Sequence, residues 1–307
     1  MKTEKVKAFV YYNILSLDIN AIQKAIEAKV IVPLQDGQTF TSGFKAIPNI
    51  PEERLTLETK GRLFFTYIEQ SKKISPAAYR QKVDELCTQY QEEHQSYSEV
   101  PDEIKEKFQI ETNALMLSYA PVKTKTCTGY IDPICNRLVI FTSSHSLADQ
   151  VTSQLFRTRD RAEDFKIEKP EKNPMLSKIF TTWVKRSEAP QPCSLNQRVI
   201  IEYPEKGKAT IQNRHIANEE IAQLVQNGEV CEVGLALLQQ SSQTEGYFPV
   251  EFSWNSKSIF KSIRYDLLYN ALWEQTLSME QIAQAKALYY LNVELVEEIL
   301  SSTSGML

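Results

Sequence analysis

The stretch from Gly61 to Leu86, GRLFFTYIEQSKKISPAAYRQKVDEL, constrains the fold more than any other part of this chain, because its periodicity changes once and abruptly. RLFFTYIE is dense in aromatic and β-branched residues and reads as a strand, entered from the strand-like LTLET through a Lys60-Gly61 turn. Ser75-Pro76 then marks a helix start. The serine can accept from a free backbone N–H, and the proline's fixed φ suits the first helical position. Beyond it Val83, Leu86, Cys87 and Tyr90 fall on one stripe. A tight strand hairpin running straight into a helix excludes an all-helical or all-β chain and makes its two strands antiparallel.

The same punctuation recurs along the chain. KVKAFVYYNIL (5–15) reads as a strand, Asp18 caps a helix with apolar spacing at Ile19, Ile22 and Ile26, and FTSGFKAI is a further strand. Pro101 opens a second helix, DEIKEKFQIETNALML, with the polar SYSEV as the tip of a helical hairpin whose many charges predict that it projects. VKTKTCTGYI, a turn at DPICNR and LVIFTSS form a β-hairpin, followed by the helices SSHSLADQVTSQLF and NPMLSKIFTTWVKR. The prolines of EAPQPCS (188–194) mark a boundary. After it come RVIIEYP and KATIQNR around a Gly207 turn, a helix from Asn218 to Asn227, and the strands EVCEVGLALL, YFPVEFSW and SIFKSIRY. Helical DLLYNALWEQ, a strand-like AKALYYL and a helix NVELVEEILSS close the chain. The predicted class is α+β: antiparallel sheets with interspersed helices and a projecting helical hairpin. Three regions are expected: a central one from 1–74 and 122–187, the hairpin at 75–121, and a C-terminal α+β subdomain at 188–307.

Composition narrows the function classes. With 307 residues and 42% hydrophobic side chains, a substantial core is expected. No apolar run approaches the roughly 18–20 residues that span a bilayer, and the lysine-led N-terminus lacks a signal-peptide core, so a cytoplasmic protein without membrane contact is expected. Five cysteines (Cys87, Cys127, Cys135, Cys193, Cys231) show no CxxC spacing and read as reduced thiols, although Cys127 and Cys135 could face each other across a hairpin. His94, His145 and His215 lie far apart, and there is no HExxH, GxSxG or Walker-type loop. The acidic residues gather in helical stretches such as QYQEEHQ, and Asp132 sits in a turn, where Asp is common. The expectation is a non-enzyme with no cofactor and no metal.

A formal net charge of −4 argues mildly against nucleic acid, since phosphate binding draws on Lys and Arg, but placement matters more than the total. Strand alternation puts Lys123 and Lys125 on one face of VKTKTCT with threonines opposite, an arrangement suited to phosphate and also to a plain solvated face. Arg157, Arg159 and Arg161 form another cluster, Lys185 and Arg186 a third. Lys206 and Lys208 flank the Gly207 turn, with Gln212, Asn213 and Arg214 at the end of that hairpin. Lys257, Lys261 and Arg264 follow on SIFKSIR.

The order of these segments resembles the recombination-associated RdgC family from about residue 5 to about residue 300. Five stretches carry the likeness: KVKAFVYYNIL with GFKAIP; GRLFFTYIEQSKKISPAAYRQKVDEL; ALMLSYAPVKTKTCTGYIDPICNRLVIFTSSHSLADQVTSQL; IFTTWV; and ATIQNRHIANEEIAQLVQNGEVCEVGLAL. The resemblance implies a ring-shaped homodimer around double-stranded DNA, binding without sequence preference, associated with the nucleoid and limiting access of the RecA recombinase. The family's polar DNA-contacting pair falls on Asn213 and Arg214. Its aromatic gate position falls on Pro121, with Tyr119 two residues earlier as a substitute. With the basic clusters this gives Lys123, Lys125, Lys206, Lys208, Gln212, Asn213, Arg214, Lys257 and Lys261 as expected DNA contacts. A metal-dependent DNA exonuclease and a protein–protein adaptor without DNA affinity are the alternatives.

Overall fold

A computed structural model of the chain describes residues 5–15, 18–50, 53–94, 99–156, 167–168, 174–205, 207–212, 219–242, 245–304 and 306. The first elements are β1 (Ala8–Ile14), α1 (Ile19–Ala28), β2 (Phe40–Lys45), β3 (Thr56–Thr59), β4 (Arg62–Lys72), α2 (Pro76–Glu93) and α3 (Asp102–Tyr119). The middle holds β5 (Val122–Asp132), β6 (Arg137–Ile140), α4 (His145–Phe156), β7 (Ile167–Glu168) and α5 (Pro174–Arg186). Then follow β8 (Ser194–Tyr203), β9 (Gly207–Gln212), α6 (Glu219–Leu224), β10 (Glu229–Gln240), β11 (Tyr247–Asn255), β12 (Phe260–Arg264), α7 (Asp266–Gln275) and α8 (Gln281–Ser304). The chain is α+β, and the strand ladders of described register are antiparallel.

Local chemistry explains the boundaries. Asp18 Oδ1 accepts from Ala21 N–H at 3.1 Å and caps α1, while Ser75 Oγ accepts from Ala78 N–H at 3.5 Å ahead of Pro76. Lys60 (φ 45°) and Gly61 (φ 77°) are both left-handed, the conformation a two-residue hairpin turn demands, and Thr59 pairs with Arg62 across it. Asp132, fully buried, turns β5 into β6 by accepting from Ile134 and Cys135 N–H at 2.8 and 3.1 Å. Its other oxygen takes Arg62 Nε at 3.0 Å, tying the β3–β4 and β5–β6 hairpins together.

Two compact units emerge: Met1–Glu27, Ala46–Thr66 and Cys127–Leu307 make the larger, and Ala28–Lys45 with Tyr67–Thr126 the smaller. In the larger unit the sheet runs β3-β4-β5-β6-β1-β12-β11-β10-β8-β9, with β7 also on β1. β1 joins its two halves: Ala8 and Phe9 pair with Lys261 and Phe260, and Val10 to Asn13 pair with β6. α5 and α7 cover one face of the C-terminal half, on β10 and β11, and α8 lies on α7 and β3. Leu176, Phe180, Leu268, Leu272, Leu288 and Val296 of these helices join Val199, Val233, Phe252 and Phe260 in one core. Each such side chain contributes about 1.5–3 kcal/mol by leaving water. In the smaller unit β2 lies beside β4. Phe44 and Tyr67 pack edge to face at 5.7 Å, and Gly43 permits a crossing so tight that a Cβ there would lie 2.6 Å from the Lys29 carbonyl. α2 and α3 are mostly exposed, with Val83 buried on one and Thr112 and Leu117 on the other.

Three expectations need correction. AKALYYL is not a strand but part of α8, whose buried positions include Ala285, Leu288, Tyr289, Asn292, Leu295, Val296 and Ile299. That helix is buried on most sides, so its apolar residues crowd together and hide the 3.6-residue period. Cys127 and Cys135 do not face each other: Cys127 is buried on β5 and Cys135 is exposed in the turn beyond it, and no disulfide joins them. The helix expected over 218–227 spans only Glu219–Leu224.

Candidate nucleic-acid interface

One face of the C-terminal half of the larger unit's sheet carries the core, so strand alternation assigns the opposite face. On β8, Val199 and Ile201 are core residues, which turns Arg198, Ile200 and Glu202 the other way. On β9, Ile211 packs toward the core, while Lys208, Thr210 and Gln212 are exposed. Arg198 sits opposite Gln212 and Glu202 opposite Lys208. On β12, Phe260 and Ile263 are buried in the core, and Lys261 points to the open face beside Glu232 of β10. The structure thus brings Lys208, Gln212 and Lys261, three residues separated in sequence, onto one sheet face.

These cations are balanced by carboxylates. Lys261 Nζ lies 2.6 Å from Glu232 Oε2, and Arg198 Nε donates to Glu232 Oε1 at 3.0 Å, so one carboxylate only 3% exposed takes a cation on each oxygen. Lys208 Nζ sits 3.3 Å from Glu202 with both groups more than half exposed, a pairing of small energetic weight. Arg264 approaches Glu251 only to 3.8 Å. Cys231, next to Glu232, has its thiol pushed up mainly by burial, with Lys208 acting in the opposite direction.

The other expected contacts are distributed. Lys257 is exposed in the β11–β12 turn, where Asn255 Oδ1 accepts from the Lys257 and Ile259 N–H groups at 3.0 Å each. Lys206, Asn213 and Arg214 lie outside the described residues, as do Arg157, Arg159 and Arg161. Lys123 and Lys125 belong to the smaller unit, at the exposed start of β5, and Lys125 Nζ is 3.7 Å from the nearly buried Glu69 of β4. Tyr119, 82% exposed, and Pro121 line a groove of about 460 Å³ with Ile74, Ala78, Leu115 and Met116. Among the described residues no group of three or more His, Cys, Asp and Glu side chains is placed to hold a metal ion, and no helix is long and apolar enough to cross a membrane.

Sequence reasoning passed over Arg198 and Glu232. A signal existed for the second: a glutamate inside the apolar run EVCEVGLALL requires a buried partner. Nothing local marks Arg198, whose place depends on its pairing with β9 and β10.

A family model described as "Putative exonuclease, RdgC" matches residues 4–242, well over half of the chain. No curated protein matches it.

Proposed function

Since the chain belongs to the RdgC family, we propose that it binds double-stranded DNA without sequence preference, as a ring-shaped homodimer, and limits access of the RecA recombinase to that DNA. A recombination-associated, DNA-binding role holds at the level of the family. The observation that carries the finer reading is the open sheet face that Lys208, Gln212 and Lys261 share, with Arg198 and Arg264 on the same face. Cations mixed with amides and hydroxyls on a broad sheet suit phosphate contact better than base reading, which needs an element that enters a groove. Lys123, Lys125 and Lys257, with Lys206, Asn213 and Arg214, extend the proposed contact set, and Tyr119 with Pro121 is the proposed gate. The proposed role is non-catalytic and nucleoid-associated.

The test is a duplex titration at several salt concentrations, on closed circular and short linear DNA, with and without magnesium. Salt-sensitive binding that leaves the DNA intact supports the reading. Magnesium-dependent degradation replaces it with the exonuclease that the family description names. Absence of binding at low salt replaces it with an adaptor role, which the carboxylate partners of Lys125, Lys208 and Lys261 favour.

A further inference from the structure

The ladders of this sheet shift register at Val230/Glu232 and at two further places. Between β10 and β8, Val233 pairs with Val199 but Leu235 pairs with Leu195, so two steps on one strand span four on the other. The surplus buckles β8 at 196–198. Between β11 and β12, Glu251 pairs with Arg264 and Ser253 with Lys261, two steps against three, and Ser262 takes a φ of 55°. Bulges of this kind leave a residue unpaired and re-aim its neighbours' side chains.

The latter two irregularities border the same depression. It has a volume of about 280 Å³, and its lining includes Arg198, Gln212, Ser253, Ser262, Glu251 and Arg264. Gly234 also lines it, and a Cβ built there would lie 3.0 Å from Arg198 Cβ and 3.2 Å from its carbonyl oxygen. Any larger residue would therefore press on Arg198. Glu232 engages Arg198 through Nε and so fixes the direction of the guanidinium. Arg264 is held loosely: 3.8 Å from Glu251 is beyond hydrogen-bond distance, and three quarters of its side chain is exposed.

We infer that this depression is a phosphate subsite, with Arg198 and Arg264 as its cations and the Gln212 amide and the Ser253 and Ser262 hydroxyls as further donors. Guanidinium groups match the several oxygens of a phosphate better than an ammonium does. Duplex backbone as the source of that phosphate rests on the DNA-binding reading above; anion capture by the two arginines does not.

Arg264 is the residue to change, because its exposure makes Arg264→Gln compatible with the fold, and Arg264→Lys keeps the charge. Two measurements on the full chain separate the claims. Thermal stability is followed with inorganic phosphate against sodium chloride at equal ionic strength, and duplex affinity is followed against salt. Phosphate stabilises the wild type but not Arg264→Gln, and the slope of log affinity against log salt falls by about 0.9 in that variant, the loss of one phosphate contact. Arg264→Lys retains most of the slope. An equal phosphate response in wild type and Arg264→Gln, or none in either, overturns the subsite whatever the DNA result. A response lost in Arg264→Gln with no duplex binding by the wild type keeps the subsite and removes duplex DNA as its occupant. An unchanged slope beside a lost phosphate response also excludes the duplex backbone from it.

Discussion

Lys261 Nζ and the Glu232 carboxylate lie 2.6 Å apart on the open sheet face, and the same carboxylate holds Arg198 at 3.0 Å. Glu232 is therefore a fixed internal rival to any phosphate that approaches these two cations. Glu232→Gln keeps the shape and removes the charge. Duplex affinity is expected to rise roughly three- to tenfold, at most about 1.4 kcal/mol, at a cost in stability of about 1–3 kcal/mol from the lost charge-assisted bonds. Fluorescence anisotropy and urea unfolding read the two effects. A fall in affinity would mean that Glu232 serves chiefly to aim the cations.

The lysines should contribute unequally to the salt dependence. Among the described residues Lys123 and Lys257 form no ion pair, whereas Lys208 has Glu202 at 3.3 Å. Lys257→Ala or Lys123→Ala is expected to lower the log–log salt slope by about 0.9 if that lysine meets a phosphate. Lys208→Ala should lower it by less, because its field is already partly cancelled. Equal slopes for all three variants would show that the internal carboxylates do not modulate binding.

Asp132 joins two hairpins through one buried carboxylate. Asp132→Ala removes the oxygen that accepts both turn bonds and leaves Arg62 without its carboxylate. Breaking a buried pair from one side costs about 3–5 kcal/mol, so the urea midpoint should fall sharply. Asp132→Asn, which keeps an acceptor for the turn, should lose less.

Stability should decline in alkali. Burial is the main reason the phenols of Tyr11, Tyr12, Tyr130, Tyr265 and Tyr269 titrate above their ordinary value, Tyr269 being pushed up to about 12. The folded state thus holds its phenolic protons at pH values where the unfolded chain has released them. The stabilisation is complete below about pH 10, the ordinary phenol value, and is lost as pH rises through the folded values. The part of the tyrosinate absorbance that belongs to these five phenols should appear together with the loss of circular dichroism rather than before it.

Much of the fold was legible because its signals are local. Ser75-Pro76, Lys60-Gly61, Asp18 and the Asp132 turn each act within a few residues, and each does so in the structure. α8 was misread at AKALYYL, where only Tyr289 and Tyr290 favour a strand; Ala285, Lys286 and Leu288 are helix formers, and burial on most sides hides their 3.6-residue period. The candidate site was legible only in part. Lys208, Gln212 and Lys261 could be named from their strands, but their common face follows from the order β9-β8-β10-β11-β12, which no local pattern encodes. The two bulges, and with them Arg198, arise from pairing registers between distant strands, and these are set by tertiary packing.

The double pairing of β1 sets a timetable for the newborn chain. One edge of that strand is closed by residues 137–140, but the other meets Phe260 and Lys261, some 250 residues later. During synthesis, which proceeds at about 5–20 residues per second, the Ala8–Phe9 part of that edge waits uncovered for many seconds, while its Asn13–Ile14 end is met earlier by residues 167–168. Phe9, which finally stacks on Phe260 at 4.7 Å, stays exposed for the same interval. Such an edge invites pairing with a neighbouring nascent chain. Folding of this strand is accordingly expected to benefit from holding chaperones and from sparse polysomes, and brisk overexpression should drive the protein into aggregates.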